Sequence, residues 1–234
     1  MLKPFKKIAL KRLIIGHRGA SGYAPENTLA SFEEALNLKA DLIELDIQLT
    51  SDDQWVVLHD LTLKRTCGLS EKVRSTPLSV IQTLDAGSWF SPAFCGEEVM
   101  TLDQLLSWAR TRMNLNIEIK GKVKQRGENI ETLLEKIADH QMTRHVILSS
   151  FEWKTLRKIR QLSQTIPIGV LVNREPRLLY LREAVDLKAF SIHLPAKKIN
   201  KEVIQKAHAR HIKVYLYTVN QAEEMAEYFQ IGVD

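Results

Sequence analysis

Between Gly16 and Asp60 the chain reads GHRGASGYAPENTLASFEEALNLKADLIELDIQLTSDDQWVVLHD, and this stretch narrows the folds open to it. An apolar run, Leu13 to Ile15, precedes it and reads as a short buried strand, with His17 and Arg18 where that strand should end. A loop with Gly19, Gly22 and Pro25 follows, and Asn27 is placed to cap a helix over Thr28 to Leu38. Leu29, Phe32, Ala35 and Leu36 give that helix its apolar face. Leu42 to Leu49 returns to strand character, and Trp55 to Leu58 is a further apolar run with His59 at its end.

Glu44 and Asp46 stand two apart on the Leu42–Leu49 strand, so both carboxylates point to one face. Burying ionised carboxylates without a partner costs on the order of several kcal/mol per ion, which makes a cation the simplest companion. A half-exposed strand with one polar face is the bland alternative. His17 and His59, each just past an apolar strand, favour a catalytic site, because a strand-end pair flanking two acids supplies proton carriers beside a cation site.

These residues carry a resemblance. HRGASGYAPENTLASFEEAL, then ELDIQLTSDDQWVVLHD, then IEIK at Ile117 to Lys120, resembles the glycerophosphodiester phosphodiesterase family, and SSF at Ser149 to Phe151 and YTVN at Tyr217 to Asn220 agree in order. The resemblance implies an α/β fold, a TIM-type (β/α) barrel, spanning residues 1–234 as one domain with an insertion at about 61–98. It implies one divalent cation, Mg²⁺ or Ca²⁺, on Glu44, Asp46 and Glu118, His17 and His59 as an acid–base pair, and Arg18 and Lys120 on the phosphate. The implied reaction is hydrolysis of a small-molecule glycerophosphodiester to glycerol 3-phosphate and an alcohol, with attack by the glycerol 2-hydroxyl as a first step. A phospholipase D-like enzyme that cyclises lysophospholipids, and a non-catalytic basic binding module, are the competing readings. Tyr217 departs from the family, which usually carries Trp there, and the change falls on the alcohol pocket. The resemblance starts an eighth strand at Gly232-Val233-Asp234, where the sequence as given stops; that strand is therefore expected to be missing, with unpaired edges on the first and seventh strands.

Composition fits this reading. A length of 234 residues suits one barrel, and an apolar fraction of 44% fills a sizeable core. No apolar run is long enough to span a bilayer. Lys3, Lys6, Lys7, Lys11 and Arg12 precede no apolar segment with a cleavage site, so a secretory signal is not expected. Cys67 and Cys95 are too few for a disulfide framework, and the expected setting is the reducing cytoplasm. The net charge of +5 comes from scattered lysines and arginines without a nucleic-acid module, so no nucleic-acid partner is expected.

Beyond Leu61 to Glu98, where Gly and Pro interrupt the rhythm, strands and helices alternate as a parallel sheet requires. Ala86 to Phe90, AGSWF, sets aromatics either against a substrate pocket or against the barrel. Thr101 caps a helix over Leu102 to Ala109. On Leu115 to Ile119, Glu118 shares its face with Lys120, a compact charge suited to a phosphate oxygen. Later strands are expected at Val146–Ser149, Ile168–Val172, Phe190–His193 and Val214–Val219, with helices between and after them. His140, His145, His193, His208 and His211 lack acidic companions in the pattern and read as structural or surface residues.

Overall fold

The computed structural model describes residues 12–121, 128–173 and 177–234. Lys3, Lys6, Lys7 and Lys11 lie outside them. Seven strands run parallel: β1 (Ile15–His17), β2 (Leu42–Leu49), β4 (Asn114–Ile119), β5 (Val146–Ser150), β6 (Ile168–Leu171), β7 (Ser191–Pro195) and β8 (Lys213–Tyr217). They are hydrogen-bonded in the order β1-β2-β4-β5-β6-β7-β8 and curl as a TIM-type barrel does. The short β3 (Trp55–Val57) pairs antiparallel with β2 and lies off that path. Helices fill the crossovers: α1 (Leu29–Asn37), α4 (Leu102–Ala109), α5 (Glu128–Asp139), α6 (Trp153–Leu162), α7 (Arg177–Asp186), α8 (Lys201–His208) and α9 (Ala222–Ile231). The region between β3 and α4 holds only two short α-helical turns, α2 (Lys64–Cys67) and α3 (Leu78–Ile81), with single 3₁₀ turns after each. Among the described residues no helix is long and apolar enough to cross a membrane.

The period of two on β2 explains the architecture. Ile43, Leu45 and Ile47 face outward into the main core, where they meet Phe32 and Ala35 of α1 and Leu105 and Leu106 of α4. Each such fully buried side chain contributes roughly 1.5–3 kcal/mol. Leu42, on the opposite face, packs inside the barrel with Leu13, Ile147 and Tyr215. Glu44 and Asp46 continue that inner face toward the C-terminal ends of the strands, where barrel enzymes place their chemistry. A separate cluster of Val56, Leu58, Leu63, Val73, Ile81, Ala86 and Val99 ties the insertion to β3.

Two expectations change here, while β1 and β8 stand at the two ends of the hydrogen-bonded order, as expected. The first strand is Ile15–His17, not Leu13–Ile15, because pairing sets Ile15 opposite Leu42 and His17 opposite Glu44. The cap of α1 is Thr28, whose side chain accepts from the Ser31 N–H; Asn27 sits at φ +60° and turns its amide elsewhere. Asp234 occupies the place expected for the start of an eighth strand: its N–H donates to the Val214 carbonyl at 3.1 Å and its carbonyl accepts from Leu13 N–H at 2.6 Å. One residue therefore bridges the backbones of β8 and the segment leading into β1.

Candidate active site

A cavity opens at the C-terminal end of the parallel strands, lined by His17, Arg18, Glu44, His59, Glu118, Lys120, Phe151 and Tyr217 among others. It continues along the seam between β1 and β8, past Leu13, Met225 and Phe229. The strand register builds its centre. Asp46 stands opposite Glu118, and Glu44 opposite both His17 and Asn116, so three neighbouring strands contribute side chains at one level.

Carboxylate oxygens of Glu44, Asp46 and Glu118 all lie within 4.8 Å of one another. Asp46 is 1% exposed and Glu118 8%, so water does little to separate their charges. Burial and the repulsion of Asp46 push the Glu118 carboxyl up to about 7, against the pull of Lys120. Burial, Asp46 and Glu118 likewise hold the Glu44 carboxyl well above its usual range. Three like charges held this close fit a hard divalent cation, which takes oxygen ligands, and the cluster meets that requirement from its own donors. Lys120 Nζ reaches Glu118 at 2.8 Å and Asp46 at 3.7 Å, leaving the triad only partly neutralised.

The histidines sit on either side. His17 Nε2 is 3.8 Å from Glu44, and burial together with the adjacent Arg18 lowers its pKa from 6.5 to about 4. His59 follows β3, which the hairpin with β2 folds back to the level of Asp46: Leu58 N–H donates to the Asp46 carbonyl at 3.0 Å. Gln48 fastens the same segment by donating to the Leu58 carbonyl at 2.8 Å and the Asp60 carbonyl at 2.7 Å. His59 Nδ1 meets Asp60 Oδ1 at 2.8 Å.

Arg18 has a left-handed backbone at φ +55°, a conformation L-residues adopt at a cost and that gathers at functional sites. Its backbone N–H donates to Glu44 at 3.0 Å, its Nη1 donates to Glu26 at 2.9 Å, and its Nε stands 3.5 Å from Asp46. Asn27, also left-handed, donates its amide to Asp46 Oδ2 at 3.0 Å and accepts the Asp46 N–H at 3.3 Å. Its side chain thus orients a carboxylate of the triad.

All seven residues singled out in the sequence, His17, Arg18, Glu44, Asp46, His59, Glu118 and Lys120, meet around this cavity. Sequence reasoning missed Glu26, Gln48, Asp60 and Arg65, which hold the others, and it misread Asn27 as a cap. Asp60 had a signal, standing directly after His59; Arg65, on the insertion, had none. Trp89 and Phe90 do not line the cavity. Trp89 donates to the Ala86 carbonyl at 2.8 Å, packs edge-on to Phe90, and Phe90 packs in turn on Phe94. Tyr217 packs edge-on to Phe151 at 6.2 Å and donates to the Val172 carbonyl at 2.8 Å. Two histidines have acidic partners after all: His140 meets Asp103 at 3.3 Å and His208 meets Asp234 at 2.7 Å, pairs formed across elements far apart in sequence.

The chain matches the model of the glycerophosphoryl diester phosphodiesterase family over residues 17–234. A glycerophosphodiester phosphodiesterase of Caldanaerobacter subterraneus is 35% identical over 229 residues, covering 96% of this chain and 93% of that protein. Among solved structures, an Oleispira antarctica phosphodiesterase in complex with the product sn-glycerol-3-phosphate superposes with a TM-score of 0.90 at 28% identity, covering 97% of this chain and 92% of that one. A glycerophosphodiester phosphodiesterase of Agrobacterium tumefaciens gives a TM-score of 0.83 at 28% identity over 96% and 94% of the two chains. With a match over nearly its whole length, the chain belongs to the glycerophosphoryl diester phosphodiesterase family.

Proposed function

We propose that this protein hydrolyses glycerophosphodiesters to glycerol 3-phosphate and an alcohol, with a divalent cation, Mg²⁺ or Ca²⁺, held by Glu44, Asp46 and Glu118. The observation that carries the reading is the convergence of this buried triad with His17 and His59 at one barrel mouth. The product complex of the Oleispira antarctica relative supports the substrate class. The cation, when bound, neutralises phosphodiester oxygens.

The remaining work falls to side chains of this chain. Arg18 and Lys120 stabilise charge developing on the phosphoryl oxygens, as preorganised cations in a water-poor site do. One of His17 and His59 takes the proton of the attacking hydroxyl and the other gives a proton to the leaving alcohol oxygen. The Phe151–Tyr217 pair forms an apolar wall for the alcohol. We assign residues 1–234 to one domain with an insertion at about 61–98, and the two free cysteines suit a cytoplasmic setting.

The test is glycerol 3-phosphate release from glycerophosphocholine and glycerophosphoethanolamine, beside lysophosphatidylcholine, with Mg²⁺, Ca²⁺ or chelator. Turnover of the first two that chelator abolishes and a divalent ion restores is expected. His17→Ala and His59→Ala should each lower kcat by about 10²-fold or more. Activity retained in both variants would refute the acid–base assignment, and turnover of lysophosphatidylcholine alone would move the enzyme to the cyclising class.

A further inference from the structure

Arg65 belongs to the insertion, on the short helix α2, yet its guanidinium reaches two carboxylates from separate parts of the chain. Nε and Nη2 donate to Asp60 at 2.7 and 3.0 Å. Nη1 and Nη2 donate to Glu26 at 3.0 and 2.8 Å. Trp89 covers it, with the guanidinium carbon 5.5 Å from the ring centroid. This double bidentate clamp needs the planar fork of an arginine, which a lysine ammonium does not reproduce.

Each carboxylate passes the constraint inward. Asp60 accepts at His59 Nδ1, and Glu26 accepts from Arg18 Nη1 at 2.9 Å. Arg65 holds the Asp60 carboxyl far below its usual range, so Asp60 is an ionised acceptor without a proton to give. The hydrogen between Asp60 and His59 must therefore sit on Nδ1. The neutral imidazole then presents Nε2 with its lone pair free, the reverse of the tautomer that imidazole favours in water. Gln48 fixes the backbone on both sides of the ring, so its position and its tautomer are both set.

We propose that Arg65 is a positioning residue that sets two parts of the active site at once: through Asp60 it locks His59 as the Nδ1–H tautomer, and through Glu26 it aims Arg18. This rests on the roles given above to His59 and Arg18. The insertion is then part of the machinery, because the link between the proton-transfer group and the phosphate-binding cation runs through its first helical turn.

The experiment combines imidazole ¹⁵N NMR on the full chain with steady-state kinetics on glycerophosphocholine. The NMR arm reports the His59 tautomer whether or not the substrate assignment holds, so the two readings fail separately. In the wild type His59 should be the Nδ1–H form, and Asp60→Ala should shift it toward Nε2–H. Arg65→Met should lower kcat about 10–100-fold, the range for partners that orient a reacting group, and raise KM several-fold by freeing Arg18. Arg65→Lys should stay within about threefold of Arg65→Met, since one ammonium cannot hold both carboxylates in fork geometry. Thermal unfolding checks that the variants fold; should Arg65→Met not fold, wild type and Asp60→Ala decide by NMR. An Nε2–H tautomer in the wild type, an unchanged tautomer in Asp60→Ala, or a folded Arg65→Met with kcat within twofold of wild type would overturn the proposal.

Discussion

Asn27 offers a direct test of how the triad is held. Its side chain is 3% exposed and makes two contacts with one residue: the amide donates to Asp46 Oδ2 at 3.0 Å, and the amide oxygen accepts the Asp46 N–H at 3.3 Å. Asn27→Gly removes both while keeping a residue at ease with φ +60°. Losing a hydrogen bond to a charged group costs about 1.5–3 kcal/mol, and leaving the buried Asp46 N–H unpaired costs about 1–3 kcal/mol. Since cavity water can replace part of each, the expected loss is about 2–4 kcal/mol. Asn27→Ala should lose about 1–2 kcal/mol more, because Cβ crowds the following carbonyl in the left-handed region. The assay is urea unfolding in chelator, read by tryptophan fluorescence, comparing midpoints at constant slope. A loss below about 0.5 kcal/mol in Asn27→Gly, the range of ordinary surface substitutions, would show that Asp46 is held without Asn27 and refute the reasoning.

Two further outcomes follow from buried charge. A divalent ion at about a hundred times its dissociation constant should stabilise the folded chain by about 2.7 kcal/mol. For a domain of this size that is a rise in Tm of roughly 5–10 °C. In Glu118→Gln a rise less than a third as large is expected in calorimetry with Mg²⁺ or Ca²⁺, and an equal rise would exclude Glu118 as a ligand. His193 is 4% exposed and hydrogen-bonded to Ser191 at 2.8 Å, and burial lowers its pKa from 6.5 to about 3. Its folded pKa is depressed, so above pH 6.5 both states are neutral and nothing is lost. As pH falls toward 3 the unfolded chain takes up a proton that the folded chain refuses, and stability declines by up to about 1.4 kcal/mol per pH unit. Relative to His193→Gln, the wild type should therefore lose about 2 kcal/mol between pH 7.5 and pH 5 in urea melts. A gap that does not change with pH would mean His193 is not held neutral.

What the sequence disclosed follows the range of the forces involved. β2 was legible to the residue, since its alternation of Ile43, Leu45 and Ile47 with Glu44 and Asp46 is a local consequence of the pleat. β1 was legible in kind but not in place: Leu13 to Ile15 carries the apolar signal, while its hydrogen bonds are decided by β2. Asn27 misled because an Asn before a helix satisfies a capping rule, yet Thr28 caps equally well and only the fold brings Asp46 within reach of the Asn27 amide. Contacts such as His140 with Asp103, or Arg65 with Glu26, join residues far apart in the chain, and no periodicity records them.

The placement of His59 shows how topology completes a site that parallel strands alone would leave unfinished. In a parallel barrel each strand end brings its residues to the mouth once, and β1, β2 and β4 deliver His17, the acids and Lys120 in that way. β2 runs on to Leu49, and the chain then returns through an antiparallel hairpin that pairs Leu49 with Trp55 and Ile47 with Val57. One residue further, Leu58 stands at the height of Asp46, its N–H on the Asp46 carbonyl at 3.0 Å, and His59 follows it on the side opposite β4. β3 ends at Val57, so the face that His59 presents is set by the bend after the strand and by Gln48, which donates to the Leu58 and Asp60 carbonyls, rather than by the pleat. Val56, Leu58 and Leu63 anchor this leg from below through the cluster beneath the insertion. The insertion therefore supports His59 together with Gln48 of β2, and its Arg65 lies on the same short path.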